Sequence, residues 1–291
     1  MATGFVFAGA AIVITIIGTI TDLQNRWAPD YISYFGVLFG LSGHAILGLQ
    51  QNSYWPFLLS LIGAGVFMGF GWLMSAFGAW GGGDAKMLVA LGALMPYYQP
   101  IISNYHSAPW PFPVTLWLNI LILGAVLGVV GTILIFARNF KIILPEIKNQ
   151  FSKNKWLLRL SAGLIILSPA GLLANKYIAL SVLLAGALGI LFLALKSVET
   201  TCMHKDTKPE KLVEGDWLIN EVKIGSVHIQ PTKAGLETED IKKIKELAAQ
   251  GKITTVRVKE GLPYLPAFLA ALLVSLFYGD LMLQFILRFL L

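Results

Sequence analysis

Charge is almost missing from the first half of this 291-residue chain. Up to residue 137 there are five charged side chains: Asp22, Arg26, Asp30, Asp84 and Lys86. Over the whole sequence 13% of residues are charged, where a soluble domain carries about 25%. That scarcity excludes a chain of amphipathic helices with a wet face. Cysteine is nearly absent as well. Cys202 alone excludes an internal disulfide and a cysteine-rich zinc site. The histidines (His44, His106, His204 and His228) are scattered without ligand spacing, so neither a metal nor a cofactor is expected. The net charge of +6 is small and fits cytoplasmic loops better than nucleic acid. What remains is apolar: 56% hydrophobic residues and a mean hydropathy of +0.70. The chain reads as a polytopic membrane protein.

A spanning helix needs about 20 apolar residues. Eight candidates cover roughly 4–21, 31–49, 55–79, 85–97, 114–137, 157–174, 177–196 and 263–289. The fourth is short, starts on a glycine loop and ends at Pro96. The sixth and seventh meet at "LLANKY" as a helical hairpin. No basic stretch precedes the first apolar run, which therefore does not read as a cleaved signal peptide. Lys and Arg collect in 138–159 and are missing from 50–54 and 97–113. By the positive-inside rule the former lies in the cytoplasm. With eight spans, both termini then fall outside, and the loops bearing Asp22 and Asp84 share the cytoplasmic side.

Residues 197–262 break the apolar pattern, with eleven bases and eleven acids. "DWLINEVKIGSVHIQ" reads as a strand pair and "KITTVRVKE" as a strand. "TEDIKKIKELAAQG" reads as a helix with Thr238 as N-cap and Gly251 as stop. The expected fold is mainly α: a membrane helix bundle over 1–196, a small α+β cytoplasmic domain over 197–262, and a final transmembrane helix over 263–291.

Ionisable residues at membrane depth are costly and mark function. Two carboxylates held together do not both ionise readily, which leaves one acid and one base near neutral pH. Such a pair activates water and protonates a leaving amine, the chemistry of peptide hydrolysis. Asp22 ends the first apolar run and Asp84 follows Gly81, Gly82 and Gly83, so these are the candidate catalytic pair and its supporting loop. Glycine there permits close backbone approach and unusual conformations. A plainer reading makes the glycines a turn and Asp84 a helix cap. Arg26, Asp30 and Lys86 stand nearby as candidates for positioning the site or the substrate. Asp280 falls near the far end of the last span, where a structural or interfacial role is expected. The acids Asp206, Glu210, Glu214 and Asp216 could attract a basic peptide or simply form a solvated face.

Gly81-Gly82-Gly83-Asp84 followed by Lys86 resembles the G-x-G-D signature of the type IV prepilin peptidases. Asp22, Arg26 and Pro29 resemble that family's D…R..PN motif, with Asp30 where Asn is more usual. "EGDW" (214–217) and "GLPYLPAFL" (261–269) are similar to the archaeal preflagellin and prepilin peptidases. The resemblance implies a membrane aspartic endopeptidase with Asp22 and Asp84 as catalytic residues. Its partners would be precursors with class III, type IV pilin-like signal peptides, and the lipid bilayer. Leader cleavage would occur at the cytoplasmic face, just before the hydrophobic segment. Bacterial members that also methylate their product often carry paired CxxC motifs. One cysteine argues against methylation here. A presenilin-like intramembrane protease shares G-x-G-D but adds a P-A-L motif, where this chain has Pro266-Ala267-Phe268. A proton- or cation-coupled transporter would use paired carboxylates within repeat symmetry, and no repeat is visible.

Overall fold

A computed structural model describes residues 2–78, 80–97, 109–173, 175–225, 227–232 and 235–289. The chain is mainly helical and divides into two compact units, residues 1–128 with 207–291, and residues 129–206.

The first unit opens with α1 (Ala2–Asn25), α2 (Asp30–Gln50), α3 (Trp55–Ala76) and α4 (Gly82–Leu94). The helix α4 has only 13 residues because glycines precede it and Pro96 follows it. Met87, Leu88, Ala90, Leu91, Ala93 and Leu94 are all buried, on every side of the helix. A helix that is apolar all round belongs inside, and α4 packs against α2 and α3. Small residues make this possible. A Cβ on Gly63 of α3 would run into the Gly92 carbonyl oxygen, and one on Gly92 into that of Gly63. A Cβ on Gly40 of α2 would lie 2.7 Å from the Ala93 carbonyl carbon. Ser60 Oγ donates to the Ala93 carbonyl (2.6 Å), which satisfies a hydroxyl with no water in reach.

The helix α5 (Phe112–Lys153) begins in this unit. Leu116 and Ile120 enter the core with Phe7, Ile14, Phe67 and Phe268. After the small mixed segment come α9 (Leu265–Phe277) and α10 (Leu281–Phe289), bent by 60°. A break inside apolar surroundings leaves backbone groups that need partners. Asn119 of α5 supplies them. Its Nδ2 donates to the Gly279 carbonyl (2.7 Å) and to Ser275 Oγ (2.8 Å), and its Oδ1 accepts from the Leu281 N–H (3.0 Å). Asp280 is fully buried at the same break. It accepts from the Leu283 N–H (2.8 Å) and from Trp110 Nε1 (3.0 Å), a structural role as expected.

Residues 207–262 hold a second apolar cluster that includes Leu218, Ile241, Ile244, Leu247, Val256 and Val258. Following β1 (His204–Thr207), β2 (Trp217–Leu218) pairs antiparallel with β5 (Val256–Lys259), Leu218 opposite Val258. β3 (Val222–Ile224) and β4 (Val227–Ile229) form a hairpin, Val222 opposite Ile229. The helix α8 (Thr238–Ala249) turns Ile241, Ile244 and Leu247 inward at helical spacing. Its N-cap is Glu237, whereas the sequence suggests Thr238. The Thr238 hydroxyl instead donates to Glu214 (3.4 Å). The expected stop is observed: Gly251 adopts φ +70° just past the helix.

In the second unit α5 runs on to Lys153, and α6 (Lys155–Leu167) and α7 (Lys176–Val198) pack as a hairpin. Ser161 faces Gly186 and Gly189, where no side chain intervenes. The basic segment 138–159, expected as a loop, is therefore largely helix. It is interrupted at Asn139 (φ −118°, ψ 19°) and at Asn154 (φ −111°, ψ 45°), where α5 gives way to α6, with Pro145 between them. Basic residues on a helix are as well solvated as on a loop, so charge alone does not separate the two.

Among the described residues, six helices are long and apolar enough to cross a membrane, seven if the bent α9–α10 pair is one span. Eight were expected. The difference is α4, too short to cross, and the break in the last span. Leu38, Trp72 and Ile166 are among many large apolar side chains left exposed on these helices, which a bilayer would cover. The loop 97–113, with His106, lies mostly outside the described residues.

Candidate active site

Asp22 sits three residues before the end of α1 and is buried. Its Oδ2 accepts from the backbone N–H of Leu265 (2.9 Å), the first residue of α9. The Leu265 carbonyl in turn accepts from Thr19 Oγ1 (3.2 Å), one turn back along α1. Just past the helix, Arg26 takes a left-handed conformation (φ +57°) while its N–H closes on the Asp22 carbonyl (2.9 Å). The Arg26 guanidinium donates to the Gly261 carbonyl.

Asp84 is the third residue of α4 rather than its cap; the N-cap is Gly81. Asp84 Oδ2 accepts from the Gly81 N–H (3.1 Å), so the carboxylate folds back over its own helix start. An acid in a first turn also suits the helix dipole. Removal from water, then the neighbouring charge of Asp22, raise the Asp84 carboxyl to about 7, against a smaller opposing effect of the Gly81 N–H. Among the described residues no hydrogen bond joins the two carboxylates.

The glycines behave differently from expectation in one respect. Gly81, Gly82 and Gly83 do not take left-handed conformations; the positive φ nearby is at Gly78 (+69°). Close approach does occur at Gly83, where a Cβ would sit 3.2 Å from Ala28 Cβ. Ala28 belongs to the connector between α1 and α2. The first residue of α2, just past that connector, is tied to α4 as well, by Lys86 Nζ and Asp30 Oδ2 (2.7 Å). Both side chains are over a third exposed or nearly so, and such pairs contribute at most about 1 kcal/mol.

All eight residues proposed from the sequence (Asp22, Arg26, Asp30, Gly81, Gly82, Gly83, Asp84 and Lys86) line one cleft of about 580 Å³. Its other wall comes from the mixed segment. Residues 213–217 and 235–239 contribute, cross-linked by Gly215 N–H to the Leu236 carbonyl (2.9 Å) and Leu236 N–H to the Asp216 carbonyl (2.8 Å). Glu214 and Asp216 line the cleft; Asp206 and Glu210 do not. Burial raises the Asp216 carboxyl, with the Val213 N–H (2.9 Å) opposing. Eight carboxylates face three basic side chains in the lining. Those three are engaged: Arg26 with Gly261, Lys86 with Asp30, and Lys259 over the Trp217 ring (5.8 Å). Main-chain contributors escaped the sequence reading. The Leu265 N–H is an example, since a backbone donor leaves no residue-type signature. The only local hint was Pro266 in the first turn of α9, which marks a helix start.

Fold and cleft define a polytopic helical membrane protein with two carboxylates from separate helices opening into one acidic cleft. Residues 9–133 match the type IV leader peptidase family, and the chain resembles archaeal preflagellin and prepilin peptidases. It is 32% identical over 143 residues to a preflagellin peptidase of Methanocaldococcus jannaschii, covering 46% of this chain and 58% of that one. A preflagellin peptidase of Methanococcus voltae is 30% identical over 131 residues, 43% of this chain and 54% of its own. Prepilin peptidase EppA of Methanothermobacter thermautotrophicus is 24% identical over 117 residues, 38% and 30% of the two chains. The chain thus spans less than two thirds of the length of these relatives. No solved structure matches it.

Proposed function

We propose that this protein is a membrane aspartic endopeptidase. It removes the short basic leader from archaellin-like or type IV pilin-like precursors, cutting at the cytoplasmic face just before the hydrophobic segment. The observation that carries the reading is the sharing of one cleft by Asp22 and Asp84, 62 residues apart in a region with three acids. The likeness to leader peptidases covers both residues.

The reaction follows from their unequal surroundings. Asp84 keeps its proton up to about pH 7. Asp22 and Asp84 each accept one backbone N–H, so it is the proton held by Asp84 that leaves the ionised role to Asp22. Asp22 is then the base that takes a proton from water as the water oxygen bonds to the scissile carbonyl carbon. Asp84 is the acid that gives its proton to the departing nitrogen as the C–N bond breaks. The leader's basic residues suit a cleft with an excess of carboxylates. Residues 197–262 act as a small cytoplasmic domain forming its second wall, with 1–196 and 263–291 as the membrane part.

The test is co-expression with candidate precursors, the cut read by mass spectrometry. Asp22→Asn and Asp84→Asn should each abolish cleavage while the protein stays folded in the membrane. Near-normal turnover by either variant would remove the dyad, and flux through proteoliposomes without cleavage would favour a transporter.

A further inference from the structure

Arg26 has no evident task in the chemistry above, yet its backbone is held in a left-handed conformation. A long side chain resists that region, and it persists where surrounding contacts over-determine it. The contacts are these. Its own N–H reaches back to the Asp22 carbonyl (2.9 Å), and its guanidinium holds the Gly261 carbonyl. Four residues after Gly261, the Leu265 N–H reaches Asp22 Oδ2 (2.9 Å), and the Leu265 carbonyl is held by Thr19 (3.2 Å). The end of α1 and the segment 261–265 are therefore stitched at three points, with the Asp22 carboxylate at the middle one. Gly261 lies two residues after the end of β5, so the same stitch joins the mixed segment to Asp22.

Resting on the peptidase reading, we propose that Arg26 is a positioning residue. By gripping Gly261 it keeps the 261–265 segment against α1, so that the Leu265 N–H fixes the Asp22 carboxylate. A carboxylate held by a main-chain donor has one orientation. Released, it rotates about its side-chain bonds, and misplacement of a reacting group by about 1 Å costs on the order of a hundredfold in rate.

The test uses the full chain in detergent micelles. Arg26→Gln should lower kcat about tenfold, between no displacement and that limit, with the precursor KM within about twofold, the pattern of an interaction that serves the reaction rather than binding. Arg26→Lys, which keeps a charged donor, should recover most of the loss. Thr19→Val removes another stitch without changing charge and should also lower kcat rather than raise KM. A readout independent of activity is hydrogen exchange, where the amides of 261–265 should exchange faster in Arg26→Gln. Unchanged exchange there would overturn the proposal. So would a rise in KM at constant kcat, which would make Arg26 a substrate contact. If Thr19→Val leaves kcat untouched while Arg26→Gln lowers it, the arginine works through its charge and the proposal falls. A wild-type protein that cuts no precursor defeats the peptidase reading instead, and leaves the exchange result to judge the stitch.

Discussion

Alanine at Gly82 and at Gly83 should have opposite consequences, although the residues are adjacent. Both lie in the first turn of α4, and in a helix alanine is favoured over glycine by at most about 1 kcal/mol. At Gly82 an added Cβ meets nothing within 4 Å, so that preference is gained without cost. At Gly83 the Cβ would lie 3.2 Å from Ala28 Cβ, 3.7 Å from its nitrogen and 3.8 Å from its oxygen. The methyl contact is shorter than ordinary packing by a few tenths of an ångström. Ala28 has little freedom to yield, since its neighbours Arg26 and Asp30 are tied to Gly261 and Lys86. The displacement therefore passes to the next residue, Asp84. With about a hundredfold lost per ångström, a shift of about a third of that gives a roughly fivefold fall in kcat. The Gly82→Ala enzyme should stay within about twofold of wild type. Initial rates on a precursor, with thermal unfolding measured on the same micelles, check both. Equal losses at the two positions would refute the steric argument. They would mean that the substrate lies against bare backbone at Gly82, where the cleft is open.

Asp30→Asn should keep most activity, because the ion pair it weakens is partly exposed; a loss beyond about tenfold in kcat/KM would show that the Lys86 tie matters more than its exposure suggests. The proton on Asp84 is retained below about pH 7 and lost above it, so kcat should hold at lower pH and fall as the pH rises through about 7, a profile checked from pH 5 to 9. Chelators should leave cleavage intact, since the proposed chemistry needs only water and two carboxylates; loss in EDTA with recovery on adding zinc would refute it.

The membrane character of the chain was legible because lipid-facing helices are uniformly apolar, and α1, α2 and α3 lie within a few residues of their expected bounds. Asp22 and Asp84 were legible for the same reason: a carboxylate stands out where charge is excluded. The bend at 278–280 was not. Its enabling residue, Asn119, is a lone amide in an apolar run some 160 positions away. The long reach of α5 was hidden because the positive-inside pattern reports where a segment lies and not what it folds into. The hydrogen bond from Leu265 to Asp22 spans 243 residues and is made by main chain, so no spacing rule could suggest it.

The glycine seam between α3 and α4 bears on how the cleft can change shape. At Gly63 and Gly92 two backbones touch with nothing between them, and at Gly71 only Ala85 intervenes, its Cβ 3.0 Å from where one on Gly71 would be. Flexible side chains let packed helices slide by changing rotamer; a seam of bare backbone has no rotamers to change. Moving α4 along α3 would require lifting one main chain over the other. Asp84 is thus mounted on the rigid side of the cleft. Asp22, near the end of α1 and joined to the 261–265 segment by hydrogen bonds rather than by bare-backbone packing, is on the adjustable side. Whatever approach the two carboxylates make when a peptide arrives, the travel falls to α1 and the segment that grips it.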